Sequence, residues 1–316
     1  MNTSRRDFLF KAGKLAGGIA LSGSLSAFLQ PEETKKFHFK ISLAQWSLHK
    51  ALFSNEMTTL DFPEVARKHY NISAIEYVNQ FFKDKANDQT YLKTLKARCK
   101  DHGVKSLLIM VDQEGSLAAP DAAERKKAAE NHYKWVEAAA YLGCHAIRVN
   151  LHGENKNEHV WQQASVDGLG RLAEFCASRK IHVLVENHGQ FSSSGKLLSE
   201  VIRQVNNPFC GTLPDFGNFC LRREKGDMWE SPCVDWYDPY KGVEEMLPYA
   251  KGISAKSFDF DDNGNEVHTD FRRMLQLIQK SGYKGYIGIE YEGENLPEEQ
   301  GILKTKALLE KIRAEL

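Results

Sequence analysis

Eight short apolar runs recur along most of this chain at nearly even spacing, and that rhythm restricts the folds open to it. They read ISLAQ from Ile41, AIEYV from Ala74, KSLLIMV from Lys105 and AIRVNL from Ala146, then HVLVEN from His182, GTLPDF from Gly211, KGISAK from Lys251 and YIGIEY from Tyr286. Successive starts lie 33, 31, 41, 36, 29, 40 and 35 residues apart, the length of a strand-loop-helix-loop unit. The stretches between them carry helical patterns. Asp61 to His69 opens with an acidic first turn, while Asp121 to Leu142 and Val160 to Arg179 place apolar residues at three- and four-residue steps. Gly103, Gly143 and Gly282 stand where left-handed helix caps are expected. A doubly wound sheet usually has fewer strands and a glycine fingerprint after the first, and ISLAQWSLHK contains no glycine. The expected fold is α/β, a single (β/α)8 TIM barrel over residues 37–316.

What precedes the barrel reads as an address. The segment SRRDFLFK, Ser4 to Lys11, joins two arginines to the apolar pair Phe8-Leu9, and a weakly apolar run from Ala12 to Phe28 follows. That is the layout of a secretory signal of the twin-arginine type. Residues 1–30 are expected to be this signal and residues 31–36 a linker, which makes the barrel periplasmic. The run is too short and glycine-rich to span a bilayer well, so no stable membrane span is expected after signal removal. Dividing the chain this way changes what its charge means. All 316 residues carry 42 basic and 42 acidic groups, but removing the first 30 leaves 38 and 41. Such a balance argues against a nucleic-acid binder working through a broad basic field. The six cysteines have no CxxC spacing, which argues against a structural zinc cluster. Cys99 and Cys176 fall on helices as core thiols, whereas Cys220 and Cys233 share one loop and form the best candidate disulfide.

Polar residues collect at the C-terminal ends of the strand signals, where barrels of this type do their chemistry. Glu76 belongs to the second, Asp112-Gln113-Glu114 follows the third, and Asn150-Leu151-His152-Gly153 the fourth. Glu186-Asn187-His188-Gly189, Asp215-Phe216-Gly217-Asn218, Ser254-Ala255-Lys256 and Glu290-Tyr291-Glu292-Gly293 follow the last four. Carboxylates converging on a barrel mouth repel one another and raise each other's pKa unless a cation joins them. A divalent metal held by Glu186, Asp215 and Glu290 is therefore expected. Oxygen ligands favour magnesium or manganese, and an added imidazole brings zinc or cobalt into range. The alternative is a set of solvated, hydrogen-bonded acids without a metal.

VENHG after strand five, PDFGN after strand six and GIEYEG after strand eight, set in eight units, resemble the sugar phosphate isomerase/epimerase family of xylose isomerase-like barrels. The resemblance extends from about Phe37 to Leu316. It implies a metal held by Glu, Asp, His and Glu from strands five to eight, which places Glu186, Asp215 and Glu290 on the first, second and fourth positions. The third position is Ser254 here, two residues before a retained Lys256, and the family's histidine after the strand-six Asp is replaced by Asn218. His188 and His268 are the imidazoles considered for the gap, with His188 ahead because it lies two residues beyond Glu186.

A cation bridging two oxygens of a hydroxy-carbonyl sugar eases removal of the proton between them. The resemblance implies Glu186 and Glu290 as the acid/base pair, and Lys256 as an acid, an oxyanion stabiliser or a counter-ion. Glu76, His152, His188, Asn218 and Trp46 are candidates to contact substrate. His49 is a further wall candidate, and the segment Asn218 to Tyr240, with Trp229, Trp236, Tyr237 and Tyr240, reads as a lid or binding loop, or equally as a hydrophobic plug against the barrel or a dimer contact. Export and the lack of a phosphate-binding loop point to a non-phosphorylated carbohydrate as the small-molecule partner. The leading expectation is a metal-dependent isomerase or epimerase. A lyase or dehydratase, for example one eliminating from a 3-keto glycoside, is the second, and a non-catalytic sugar-binding protein the third. A homo-oligomer is compatible with the sequence.

Overall fold

The computed structural model describes residues 37–155 and 157–316. The expected signal and linker, residues 1–36, lie outside them. Among the described residues ten strands occur: β1 (Lys40–Ala44), β2 (Ala74–Val78), β3 (Lys105–Met110), β4 (Ala146–Val149), β5 (His182–Glu186), β6 (Cys210–Leu213), β7 (Cys220–Arg223), β8 (Cys233–Trp236), β9 (Ile253–Ser257) and β10 (Tyr286–Tyr291). Between them run α1 (His49–Phe53), α2 (Phe62–Lys68), α3 (Gln89–Asp101), α4 (Ala122–Leu142), α5 (Glu158–Ser178), α6 (Gly195–Val205), α7 (Pro239–Met246), α8 (Phe271–Ser281) and α9 (Glu298–Glu315). Eight strands form one parallel sheet in the order β6-β5-β4-β3-β2-β1-β10-β9. Each of the eight apolar runs became one of its strands.

The ring closes between β6 and β9 by isolated bridges rather than a continuous ladder. Only the isolated bridges Thr212–Ala250 and Asp215–Ser254 join them. Lys251 N donates to Thr212 O, Ser254 N to Pro214 O and Phe216 N to Ser254 O, at 2.9–3.1 Å. Pro214 has no N–H, which removes one donor from the ladder at this point. The (β/α)8 barrel is thus complete.

Strand periodicity sorts its contents. Odd-numbered residues of β5, such as Val183 and Val185, pack in the large apolar layer between sheet and helices. Leu184 joins Ala44, Val78, Leu108, Met110, Ala146 and Leu213 in a small plug inside the ring. Two residues beyond three plug positions stand Arg148, Glu186 and Asp215, all buried. The alternation that fills the barrel with carbon therefore also carries charge to its upper end.

The helices are fixed at both ends by local chemistry. Side chains of Asp88, Asp121, Asn157, Ser194, Asp238 and Asp270 accept backbone N–H bonds at the starts of α3, α4, α5, α6, α7 and α8. Each cap stabilises its helix by about 1 kcal/mol. Gly143 and Gly282 end α4 and α8 in the left-handed conformation, as their placement in the sequence predicts.

The segment after strand six departs from the expected plain loop. Its strands β7 and β8 pair antiparallel, with Cys220 opposite Trp236 and Arg223 opposite Cys233. The disulfide expected between Cys220 and Cys233 is formed across this hairpin, and the other four cysteines are free and buried. Among the described residues, no helix is long and apolar enough to cross a membrane.

Candidate active site

Glu186, Asp215 and Glu290 meet at the C-terminal ends of β5, β6 and β10. One oxygen from each lies within 4.8 Å of the others, and all three residues are buried. Two cations accompany them. Arg148, from the middle of β4, places Nε 2.9 Å from Glu186 Oε2 and Nη1 2.7 Å from Asp112 Oδ1. Lys256 Nζ lies 3.0 Å from both Glu290 and Glu292. Ser254 donates to Glu290 Oε2 at 3.1 Å, and Asn218 Nδ2 donates to Glu186 Oε1 at 3.3 Å. The two residues that depart from the family pattern thus act as neutral donors to the carboxylates. Backbone N–H groups of Gly217 and Asn218 donate to Asp215 Oδ1 at 2.8 and 2.9 Å.

Glu186 Oε2 and Asp215 Oδ2 are buried acceptors without an aligned hydrogen-bond donor. Unpartnered oxygens are costly in a low-dielectric interior, so their presence needs an account. Charge supplies the rest of it. Arg148 and Lys256 face Glu76, Asp112, Glu186, Asp215, Glu290 and Glu292, leaving negative charge in excess. Burial, reinforced by the neighbouring carboxylates, pushes Glu186 well above the usual range. It pushes Asp215 up to about 7, although Lys256 opposes the shift. Burial also pushes Glu76 up to about 7. For Lys256 burial acts the other way, but Glu290 and Glu292 hold its ammonium well above the ordinary value. These oxygens suit a hard divalent cation, which Glu186, Asp215 and Glu290 would hold.

A pH dependence follows. Between pH 4 and about 7 the folded protein retains protons on Glu186 and Asp215 that the unfolded chain has released. The metal-free protein should therefore lose stability as pH rises through this window. A divalent ion must displace those protons, so its stabilising effect should be greater at pH 8 than at pH 6. Thermal unfolding at the two pH values, with and without manganese, measures both trends. An equal metal-induced shift at both pH values would count against these ligands.

The floor opens into a cavity of about 720 Å³ whose lining includes Trp46, Asp112, Arg148, His188, Trp229 and Glu290. Trp46 donates its indole N–H to Glu292 and stacks on His49. Asp112 accepts from Arg148, from Asn150 at 2.8 Å and from Gln80 at 3.2 Å. Those bonds outweigh its burial and hold its carboxyl below the usual range. His152 and His188 stack at 5.5 Å, with His152 Nε2 donating to the His188 carbonyl at 3.0 Å. Burial depresses both imidazoles, His188 strongly.

Not every candidate reaches the same place. Glu76 lies within the barrel, 3% exposed, accepting from Ser42 at 2.6 Å; like Glu186 and Asp215 it does not line the cavity, and it is not among the clustered metal-type ligands. His188 is not among the clustered metal-type ligands. Gly189 has φ +88°, and the chain leaves the extended strand after Glu186, so the two-residue alternation no longer governs His188. His268 is exposed and 3.2 Å from Asp259. Arg148 escaped the sequence reading altogether, hidden within an otherwise apolar strand. Its parity with Ala146 was the signal that it points inward.

Fold and site together define a (β/α)8 barrel with a carboxylate-rich floor suited to a divalent cation. Residues 64–312 match the xylose isomerase-like TIM barrel family, and the chain belongs to it. Among solved structures it is similar to D-psicose 3-epimerase from Clostridium cellulolyticum H10, determined with D-tagatose. That likeness has a TM-score of 0.65 at 12% identity, over 87% of this chain and 99% of the other. It is also similar to the IOLI protein determined with a zinc atom, with a TM-score of 0.67 at 14% identity over 88% and 99%. These similarities are of fold. A stretch of 62 residues is 36% identical to the C-glycoside deglycosidase alpha subunit of Arthrobacter globiformis, covering 20% of this chain and 16% of that protein. The chain therefore matches about a sixth of the length of that curated relative.

Proposed function

We propose that this protein is an exported, metal-dependent isomerase or epimerase acting on a non-phosphorylated carbohydrate by proton abstraction beside a carbonyl. The observation that carries the reading is the trio Glu186, Asp215 and Glu290, clustered and buried, with Asp215 Oδ2 lacking a hydrogen-bond donor, Glu186 Oε2 held by charge alone, and Glu290 lining an open polar cavity. An all-oxygen ligand set favours magnesium or manganese over zinc. When bound, the ion supplies electrostatic stabilisation for an enediolate.

The protein's own groups divide the remaining work. Glu186 on β5 and Glu290 on β10 stand on either side of the β6–β9 pair, so one proton can be removed and returned from different sides. Arg148 and Asn218 fix the first carboxylate, and Lys256 and Ser254 the second. Lys256, ion-paired with both Glu290 and Glu292, serves through its charge. His152 and His188, kept neutral by burial, offer sugar hydroxyls uncharged hydrogen-bond partners.

A second reading, elimination from a 3-keto glycoside, begins with the same proton abstraction. It is favoured by the local similarity to a deglycosidase subunit. Metal-loaded protein incubated in heavy water with plain and 3-keto sugars separates the two. Deuterium in an isomeric product supports isomerisation, a released aglycone supports elimination, and neither result leaves only binding. Glu186→Gln should lower either activity by about a thousandfold. Full activity in that variant would remove Glu186 from the mechanism.

A further inference from the structure

Trp229 sits at the tip of the β7–β8 hairpin, 45% exposed, in the cavity wall. Its ring lies 4.5 Å from His188 and 6.1 Å from His152, one aromatic layer above the end of β5. An exposed tryptophan on a loop ordinarily moves, yet this one is restrained by four separate devices. The Cys220–Cys233 disulfide ties the hairpin strands. Arg223 donates to the carbonyls of Met228 at 2.9 Å and Ser231 at 2.6 Å, with its guanidinium over the Trp229 ring. Asp227 Oδ1 accepts from the backbone N–H groups of Glu230 and Ser231. Gly189 completes the arrangement, since a Cβ there would lie 3.1 Å from Met228 Sδ and 3.3 Å from Trp229. Its missing side chain is what lets the tip settle onto the site.

A rigid aromatic face spends little conformational entropy when it binds and selects a planar apolar partner. The cavity lining is mixed. Asp112, Asn150, His152 and His188 supply polar groups, and Trp229, Trp236 and Phe258 supply aromatic surface. Hydroxyl-rich and planar apolar parts of one molecule match those two kinds of surface. We infer that the site takes its sugar as a glycoside with an aromatic aglycone, the sugar over the carboxylate floor and the aglycone against Trp229. This rests on the second reading above, a 3-keto glycoside, because a glycoside has no free anomeric carbonyl to isomerise, and it narrows that substrate class.

Calorimetric titration of manganese-loaded protein with phenyl and methyl 3-keto-hexopyranosides tests the assignment. Phenyl glycosides should bind at least about tenfold more tightly than methyl glycosides, the worth of burying an aryl face. Trp229→Ala should reduce that ratio to about one, and Trp229→Phe should restore most of it. Methyl glycosides binding as tightly as phenyl glycosides would overturn the aglycone assignment while leaving the carbohydrate reading intact. So would a Trp229→Ala protein that kept the wild-type ratio. Binding of neither 3-keto glycoside would overturn the 3-keto glycoside reading and the aglycone assignment together.

Discussion

Asp215→Asn should lower divalent-metal affinity by at least about 100-fold, because even residues behind a metal ligand commonly carry tenfold to 100-fold effects. The asparagine oxygen can still accept the Gly217 and Asn218 N–H bonds that fold the turn after β6. What disappears is the second carboxylate oxygen, Oδ2, which has no donor of its own. At pH 8 the substitution also removes a buried charge that its neighbours oppose. The metal-free variant should therefore melt no lower than the metal-free wild type, while the metal-induced rise in melting temperature vanishes. Calorimetry and thermal unfolding with manganese measure both effects. Undiminished metal affinity would rule out the three-carboxylate site, and a lower melting temperature without metal would mark Asp215 as a structural residue.

Arg148→Met should be the most destabilising single change near the site, at about 3–5 kcal/mol, the cost typical of breaking a buried ion pair from one side. Arg148 is 4% exposed and serves Glu186 and Asp112 together. Methionine fills much of its volume, so the loss would come from two stranded carboxylates rather than from a cavity. Arg148→Lys should recover part of the loss by keeping the charge, although it cannot reproduce the planar two-sided contact. Urea unfolding at pH 7.5 gives the comparison. A loss below about 1 kcal/mol for the methionine variant would place Arg148 outside the support of the site.

The sequence showed most clearly what period and polarity encode. Eight apolar runs became the eight barrel strands; the acids ending VLVE and TLPD each follow a plug residue by two positions, and the acid ending IGIE follows Gly288, whose missing side chain leaves room for Glu76. Where the chain leaves regular strand geometry, that logic lapses. His188 shares a strand end with Glu186, yet a left-handed glycine beside it directs the imidazole toward His152 and Trp229. The β7–β8 hairpin was legible only as a long aromatic loop with two cysteines, since CLRR and CVDW lack a strong strand signal. Arg148 shows a different limit. A single charge in a buried strand is explained only by partners on other strands, and those partners become visible when the ring closes.

That closure bears on how the barrel and its proposed ion depend on each other. The β6–β9 seam lies between Asp215 on one side and the β9–β10 pair, carrying Glu290, on the other. An ion gripped by both residues would act as a clasp across the gap that Pro214 leaves in the hydrogen-bond ladder. Occupancy and mechanical integrity would then be one property. A cell that loaded the ion would, in the same act, fasten the last joint of the fold.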